Sequence, residues 1–270
     1  MNILAVDTCL QPGSLALLSE NPSSSGNGPT AAEPEVVALP PGWRSVALHE
    51  EIRQLLARHG LTTANIDLYA VTAGPGAFTG VRLGLTAVKG LAEVHDKPII
   101  PISTLEALAF AGSPKTFQAV TVATNMARVS PAYHLAPVLD ARRGQVFAAV
   151  YKVSRRVRQT VGQPGIDEDF LSLVPDSVCS LRSFLDQIKS LGINIGPHFL
   201  RFCATDEALL LPAIEEFGWT RDSVILVPPQ LAGTLARMAA ERFRQGKGIG
   251  ALAADANYVR ASDAELFWKE

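Results

Sequence analysis

Two hydrophobic periods alternate along this chain, and each switch between them marks an element. Residues 3–6 form a continuous apolar run ending at Asp7 and Thr8, and a loop through Gln11, Pro12 and Gly13 leads to a second apolar run at 15–18. The pair reads as a hairpin with an acid at its mouth. A third strand is expected around 36–39. From 44 to 59, Val46, Leu48, Ile52, Leu55 and Leu56 fall at helical spacing ahead of Gly60, a helix-ending residue. The stretch that follows organises the rest. Residues 68–73 read as a strand, Gly74, Pro75 and Gly76 as a turn, and 78–95 as a helix with Val81, Leu85, Val88 and Ala92 on one face. Gly76, Gly80 and Gly84 recur every fourth residue and, with Ala87 and Leu91, make a second, small face; Arg82, Thr86, Lys89 and Glu93 make a polar third. Each interior glycine costs about 1 kcal/mol relative to alanine, so something must approach this helix closely to compensate.

Beyond it, 99–102 reads as a strand, and Ser103 with Glu106 three residues on reads as a capping box opening a short helix. After a break at 112–114 and a patternless segment at 116–133, the string LAPVLDARRGQVFAAVYKV repeats the opening order: strand, Asp140, glycine turn at Gly144, strand. A duplicated hairpin with an acid at each first-strand end predicts an α/β protein of two related mixed-sheet lobes, the actin-like (ASKHA, RNase H-like) arrangement. The second lobe continues through a helix at 181–191, a strand at 199–204, a helix at 206–217, a strand at 224–227 and a last helix at 231–245. The expected domains are a first lobe at 1–111, an inserted or linking segment at 112–134, a second lobe at 135–230, and a C-terminal helix and tail at 231–270.

Composition narrows the function. A net charge of −2 and a pI near 6.2 argue against an autonomous nucleic-acid binder, which shows a basic face. Cys9, Cys179 and Cys203 are widely spaced and form no CxxC pair, which disfavours a disulfide framework and a cysteine metal site and fits a reducing cytoplasm. No run of 18 apolar residues offers a membrane span.

The glycine turn mostly fails as a phosphate loop and reads first as a tight turn with a helix-packing face: Gly80 is followed by Val81 and Arg82 rather than a Lys-Ser or Lys-Thr pair, the GxGxxG spacing is off by one, and Pro75 lacks an amide donor. No serine elbow occurs, and no two histidines share a helix face at ligand spacing. Asp7 and Asp140 stand where an α/β sheet binds ligands, at the carboxyl ends of strands. Either could instead cap its own turn, and for Asp140, beside Arg142 and Arg143, a turn or local ion pair is the first reading.

Taken together, ILAVDT, GPGAFTGVRLGL, KGLA, KPIIPISTLEALA and LDARRGQVFAAVY make the chain resemble the TsaB family. These are the non-catalytic subunits of the bacterial machinery that places threonylcarbamoyl on the adenosine beside the anticodon of tRNA. The resemblance covers about 1–111 and 135–151, with an echo in YVRASDAELFW near the end. It implies a choice between TsaB and its catalytic paralogue, the TsaD family. TsaD proteins carry an NHLEGH-type motif after the same strand, whose histidines bind the active-site metal; here STLEAL puts Thr104 and Leu108 at those positions, which implies no metal and no catalysis. The strand ending at Cys203 and Ala204 likewise runs on without the glycine pair of a phosphate loop. Three departures from the family stand out: a long loop at 20–34, the segment at 112–134, and Asn257 where proline is expected.

The resemblance and the glycine face together lead to a scaffold subunit that pairs with a TsaD-like catalytic subunit through a four-helix interface. Its side would be the helices at 44–59 and 78–95, with Gly76, Phe78, Gly80, Arg82, Leu83, Gly84, Ala87, Leu91, His49 and Arg53 at the contact. On that view Gly84→Leu weakens pairing far more than folding. A TsaE-like ATPase, and tRNA through the complex, are the further expected partners, with a homodimer when the chain is alone. Asp7 and Thr8 are the candidate cofactor-binding residues, with ATP or ADP held at the complex interface and none held tightly by the isolated chain. The rival is an autonomous actin-like enzyme, nucleotide-dependent or a metallopeptidase, using Asp7 as its acid.

Overall fold

The computed structural model describes residues 1–20, 33–40, 42, 45–113, 133–158, 165–193 and 199–260. Most of the 20–34 loop, the 112–134 segment and the end of the YVRASDAELFW string lie outside the described residues. The chain divides into two compact units, Met1–Ala107 with Pro228–Glu270, and Leu108–Val227.

The first unit is built on a five-stranded sheet of order β3-β2-β1-β4-β5, from β1 (Asn2–Asp7), β2 (Ser14–Ser19), β3 (Glu35–Ala38), β4 (Leu68–Gly74) and β5 (Ile99–Ser103). The first three strands form an antiparallel meander, while β4 runs parallel to β1 and β5 parallel to β4. Because neighbouring residues of a strand face opposite sides, Leu4 and Val6 point into one core with Tyr69 and Val71. That core is closed by Leu48, Ile52, Leu55 and Leu56 of α1 (Ser45–Arg58) and by Val81, Leu85, Val88 and Ala92 of α2 (Phe78–His95). These are the positions whose spacing predicts the two helices. Gly60, at φ 65, follows α1 and supplies the left-handed turn that ends it.

A short helix α3 (Thr104–Gly112) follows β5, and Ser103 Oγ accepts the Glu106 amide at 3.2 Å as a capping box begins. The Glu106 carboxylate also pairs with Arg242 of the last helix.

The second unit repeats the plan. β6 (Tyr133–Arg142), β7 (Gln145–Arg158) and β8 (Gly165–Ser180) make the meander, β9 (Leu200–Ala204) runs parallel to β6, and β10 (Val224–Leu226) parallel to β9, in the order β10-β9-β6-β7-β8. The duplication read from two hairpins thus extends to all five strands. Phe184, Leu185 and Ile188 of α4 (Leu181–Ser190) and Ile214 of α5 (Leu211–Glu216) pack with Phe202 and Trp219, whose rings meet edge to face at 5.3 Å.

Two elements differ from the sequence reading. The helix expected at 206–217 is broken into a 3-10 turn at Glu207–Leu209, capped by Asp206, and α5, because Pro212 has no amide to continue the first turn. The last helix, α6 (Ala232–Arg244), packs on β1, β2 and β4 inside the first unit rather than standing as a separate segment, and its Ala232 amide donates to Ser14 Oγ at 3.1 Å.

Candidate functional site

The end of β1 is where the first unit concentrates its buried polar groups. Asp7 and Thr8 are consecutive, so their side chains leave opposite faces of the sheet. Asp7 turns toward the start of α6. Its Oδ1 accepts the Cys9 amide and the Thr72 hydroxyl, both at 3.0 Å, while Oδ2 has no hydrogen-bond partner although the residue is fully buried. Burial pushes its carboxyl up to about 6, and the hydrogen bonds from Cys9 and Thr72 hold it down only in part. The Cys9 thiol, buried beside that carboxyl, is pushed up to about 12 by desolvation first and by Asp7 second, so it is an inert core group rather than a nucleophile.

Thr8 turns toward α2, and its hydroxyl donates to the Gly80 carbonyl at 2.7 Å. This contact revises the small face. A Cβ at Gly80 would overlap the Thr8 carbonyl oxygen, one at Gly84 would overlap Thr8 Oγ1, and one at Gly76 would stand 2.8 Å from Cys9 Cβ. Gly76, Gly80 and Gly84 therefore admit Cys9 and Thr8 of their own unit, and they are not an open surface for a partner. The expectation for Gly84→Leu changes with it: the added side chain drives into Thr8 and unfolds the unit before any partner is involved. Ala87 is buried in the same core, and Leu83 and Leu91 pack against it. Of the set proposed for the contact, Phe78, Arg82, His49 and Arg53 are exposed. Arg53 is engaged within α1, its guanidinium donating to both oxygens of Glu50 at 2.8 and 2.6 Å.

The outward side of α2 carries Phe78, Thr79, Arg82, Thr86, Gly90 and Val94, all exposed. At its start the C-terminal tail crosses. Asn257 donates its amide to the Ala73 carbonyl at 2.7 Å, a bond that the proline expected there could not make. Tyr258, which follows, meets Phe78 with ring centroids 5.5 Å apart, and Lys89 reaches the Ala254 carbonyl at 2.8 Å. Tyr258 begins the YVRASDAELFW echo, but no periodicity in the sequence ties it to α2.

Asp140, the counterpart of Asp7, is exposed at the β6–β7 turn, where its Oδ1 accepts the Arg142 amide at 2.7 Å. Arg143 and Gly144 both have positive φ, 57 and 71, as a two-residue type I′ hairpin requires. Asp140 is a turn cap. Thr104 and Leu108, one turn apart on α3, are fully buried, and the Thr104 hydroxyl has no hydrogen-bond partner. A neutral hydroxyl and an isobutyl group do not make a transition-metal donor pair. Among the described residues no group of three or more His, Cys, Asp or Glu is placed to hold a metal ion, and no helix is long and apolar enough to cross a membrane.

A family model for TsaD, described as tRNA N6-adenosine threonylcarbamoyltransferase, matches residues 44–173. Along its whole length the chain is similar to the Bacillus subtilis (strain 168) protein described as tRNA threonylcarbamoyladenosine biosynthesis protein TsaB: 29% identity over 100% of this chain and 99% of the relative. The Escherichia coli (strain K12) protein of the same description is 26% identical over 100% of this chain and 98% of that one. A solved structure described as an uncharacterized protein with similarity to peptidase YEAZ, from Pseudomonas aeruginosa, superposes with a TM-score of 0.65 at 22% identity, covering 96% of this chain and 99% of that one. The two-lobed α/β fold is borne out by that structure, and the resemblance to the TsaB family by the full-length relatives.

Proposed function

We propose that this chain is the non-catalytic member of a pair that forms threonylcarbamoyladenosine in tRNA, and that it acts by holding a TsaD-like catalytic subunit against the outer side of α2 and the exposed side of α1. The observation that carries the reading is at the start of α3. Where the resemblance puts the metal-binding histidines of the catalytic paralogues, this chain has Thr104 and Leu108, both fully buried and neither able to replace an imidazole. The relatives that match it from end to end are described as TsaB biosynthesis proteins, which supports the same side of the choice.

The isolated chain binds ATP or ADP only weakly, and nucleotide joins at the interface of the complex. Asp7 and Thr8 support the weak binding, because both are fully buried and Thr8 is already tied to Gly80. A TsaE-like ATPase and the tRNA reach the chain through the catalytic subunit, in the cytoplasm. When that subunit is absent, a second copy of the chain closes on the same face.

Metal analysis of the purified protein tests the non-catalytic reading. The expected result is less than about 0.1 equivalent of iron or zinc after dialysis; about one equivalent, retained through folding and lost on unfolding, would return the chain to the enzymes.

A further inference from the structure

We infer that Arg82 is the residue by which the α2 face recognises its protein partner, and that the partner meets it with a carboxylate. The inference rests on the proposed pairing with a TsaD-like subunit and specifies its chemistry. The Arg82 guanidinium carbon lies 3.8 Å from the centroid of the Phe78 ring and 5.7 Å from that of Tyr258, and its Nε donates to the Tyr258 hydroxyl oxygen at 2.9 Å. Two aromatic rings, themselves 41% and 47% exposed, therefore fix the plane of an exposed guanidinium before any partner arrives.

Nε is taken, and the two terminal nitrogens remain. Among the described residues no carboxylate of the chain meets them. The contrast with other arginines is direct: Arg58, Arg182, Arg221, Arg242 and Arg244 each reach a glutamate of their own chain. A planar fork held in place, with no described carboxylate on its end-on edge, matches a carboxylate with two parallel hydrogen bonds, and little side-chain freedom is left to lose on binding. Arginine and tyrosine together are also the residue types that dominate interface energetics.

The face favours protein over nucleic acid. A phosphate backbone is held by several cations at once. Next to Arg82, the outward side of α2 offers Thr79 and Thr86, and Lys89 is turned to the Ala254 carbonyl.

The experiment is a calorimetric titration of the full chain with its TsaD-like subunit at two salt concentrations, for the natural chain and for Arg82→Met and Arg82→Lys. The melting temperature of each variant and its binding to tRNA without the subunit are measured alongside. Arg82→Met should lose about 10- to 100-fold in affinity together with most of the salt dependence, while the melting temperature stays within about 1 °C. Arg82→Lys keeps the charge but not the fork, and should still lose several-fold. Replacing the facing acid of the subunit with lysine should restore binding to Arg82→Glu. If the natural chain binds the subunit and Arg82→Met binds it equally well, the inference is overturned while the pairing stands. A variant that loses tRNA binding but keeps its affinity for the subunit overturns it in favour of phosphate. A natural chain with no affinity for the subunit removes the pairing itself.

Discussion

Gly80→Ala should lower the melting temperature by roughly 2–8 °C, while Gly90→Ala, on the same helix, should raise it by about 2–4 °C. Both substitutions remove a mid-helix glycine, which by itself favours the helix by about 1 kcal/mol. Nothing lies within 4 Å of a Cβ at Gly90, so there the gain is uncompensated. At Gly80 the new methyl runs into the Thr8 carbonyl, backbone that is fully buried and cannot swing aside as a long side chain would. Overpacking costs about 1–3 kcal/mol, and an overlap with fixed backbone belongs in the upper part of that range, above the helical gain of about 1 kcal/mol. Gly84 gives a third reading, because its neighbour is the Thr8 side chain. Thr8→Ala should partly relieve Gly84→Ala, so that the double variant is more stable than the sum of the two losses requires. Differential scanning calorimetry of these variants separates the cases; equal and small shifts at Gly80 and Gly90 would mean that Thr8 does not sit on α2.

The second large effect belongs to Asp7. Its carboxyl titrates near 3.8 when exposed and about 6 in the fold, so the native state holds a proton that the unfolded chain has released. The stability this gives is present in full below about pH 4 and is lost as the pH rises through about 6. A rise from 3.8 to about 6 is worth roughly 3 kcal/mol. Asparagine has nothing to lose by deprotonation. Asp7→Asn should therefore gain on the natural chain by roughly that amount between pH 4 and pH 7, whatever its absolute stability, in urea unfolding series followed by circular dichroism. Parallel stability curves for the two proteins would show that Asp7 is solvated.

How much of this is legible in the sequence depends on whether a signal is local. Val81, Leu85, Val88 and Ala92 repeat within one helix, and α2 is found at Phe78–His95, where the pattern puts it. The glycine stripe is equally visible, but it states only that something comes close. The neighbour is Thr8, 72 residues away from Gly80, and no spacing along the chain points to it. The Phe78, Arg82 and Tyr258 cluster is hidden for the same reason, with 176 residues between Arg82 and Tyr258.

In the second unit β8 escapes notice for a different reason. It is an edge strand without strict alternation, Leu171 is exposed, and Pro175 falls where the β7–β8 register shifts, so both the edge and the irregularity accept proline. The acids at the two strand ends look alike in sequence and part in structure. Asp7 is sealed between two packed faces, whereas Asp140 stands on an exposed hairpin and caps it.

The measurement closest to the central claim is the yield of threonylcarbamoyladenosine in tRNA from a reconstituted reaction with ATP and the threonylcarbamoyl donor. It is run with this chain alone, with the TsaD-like subunit alone, and with both, the TsaE-like ATPase being present throughout. A supporting subunit predicts no product from the chain alone, little from the catalytic subunit alone, and turnover when the two are combined at equal concentration. Product from the chain without the TsaD-like subunit, or full turnover by that subunit without the chain, would contradict it.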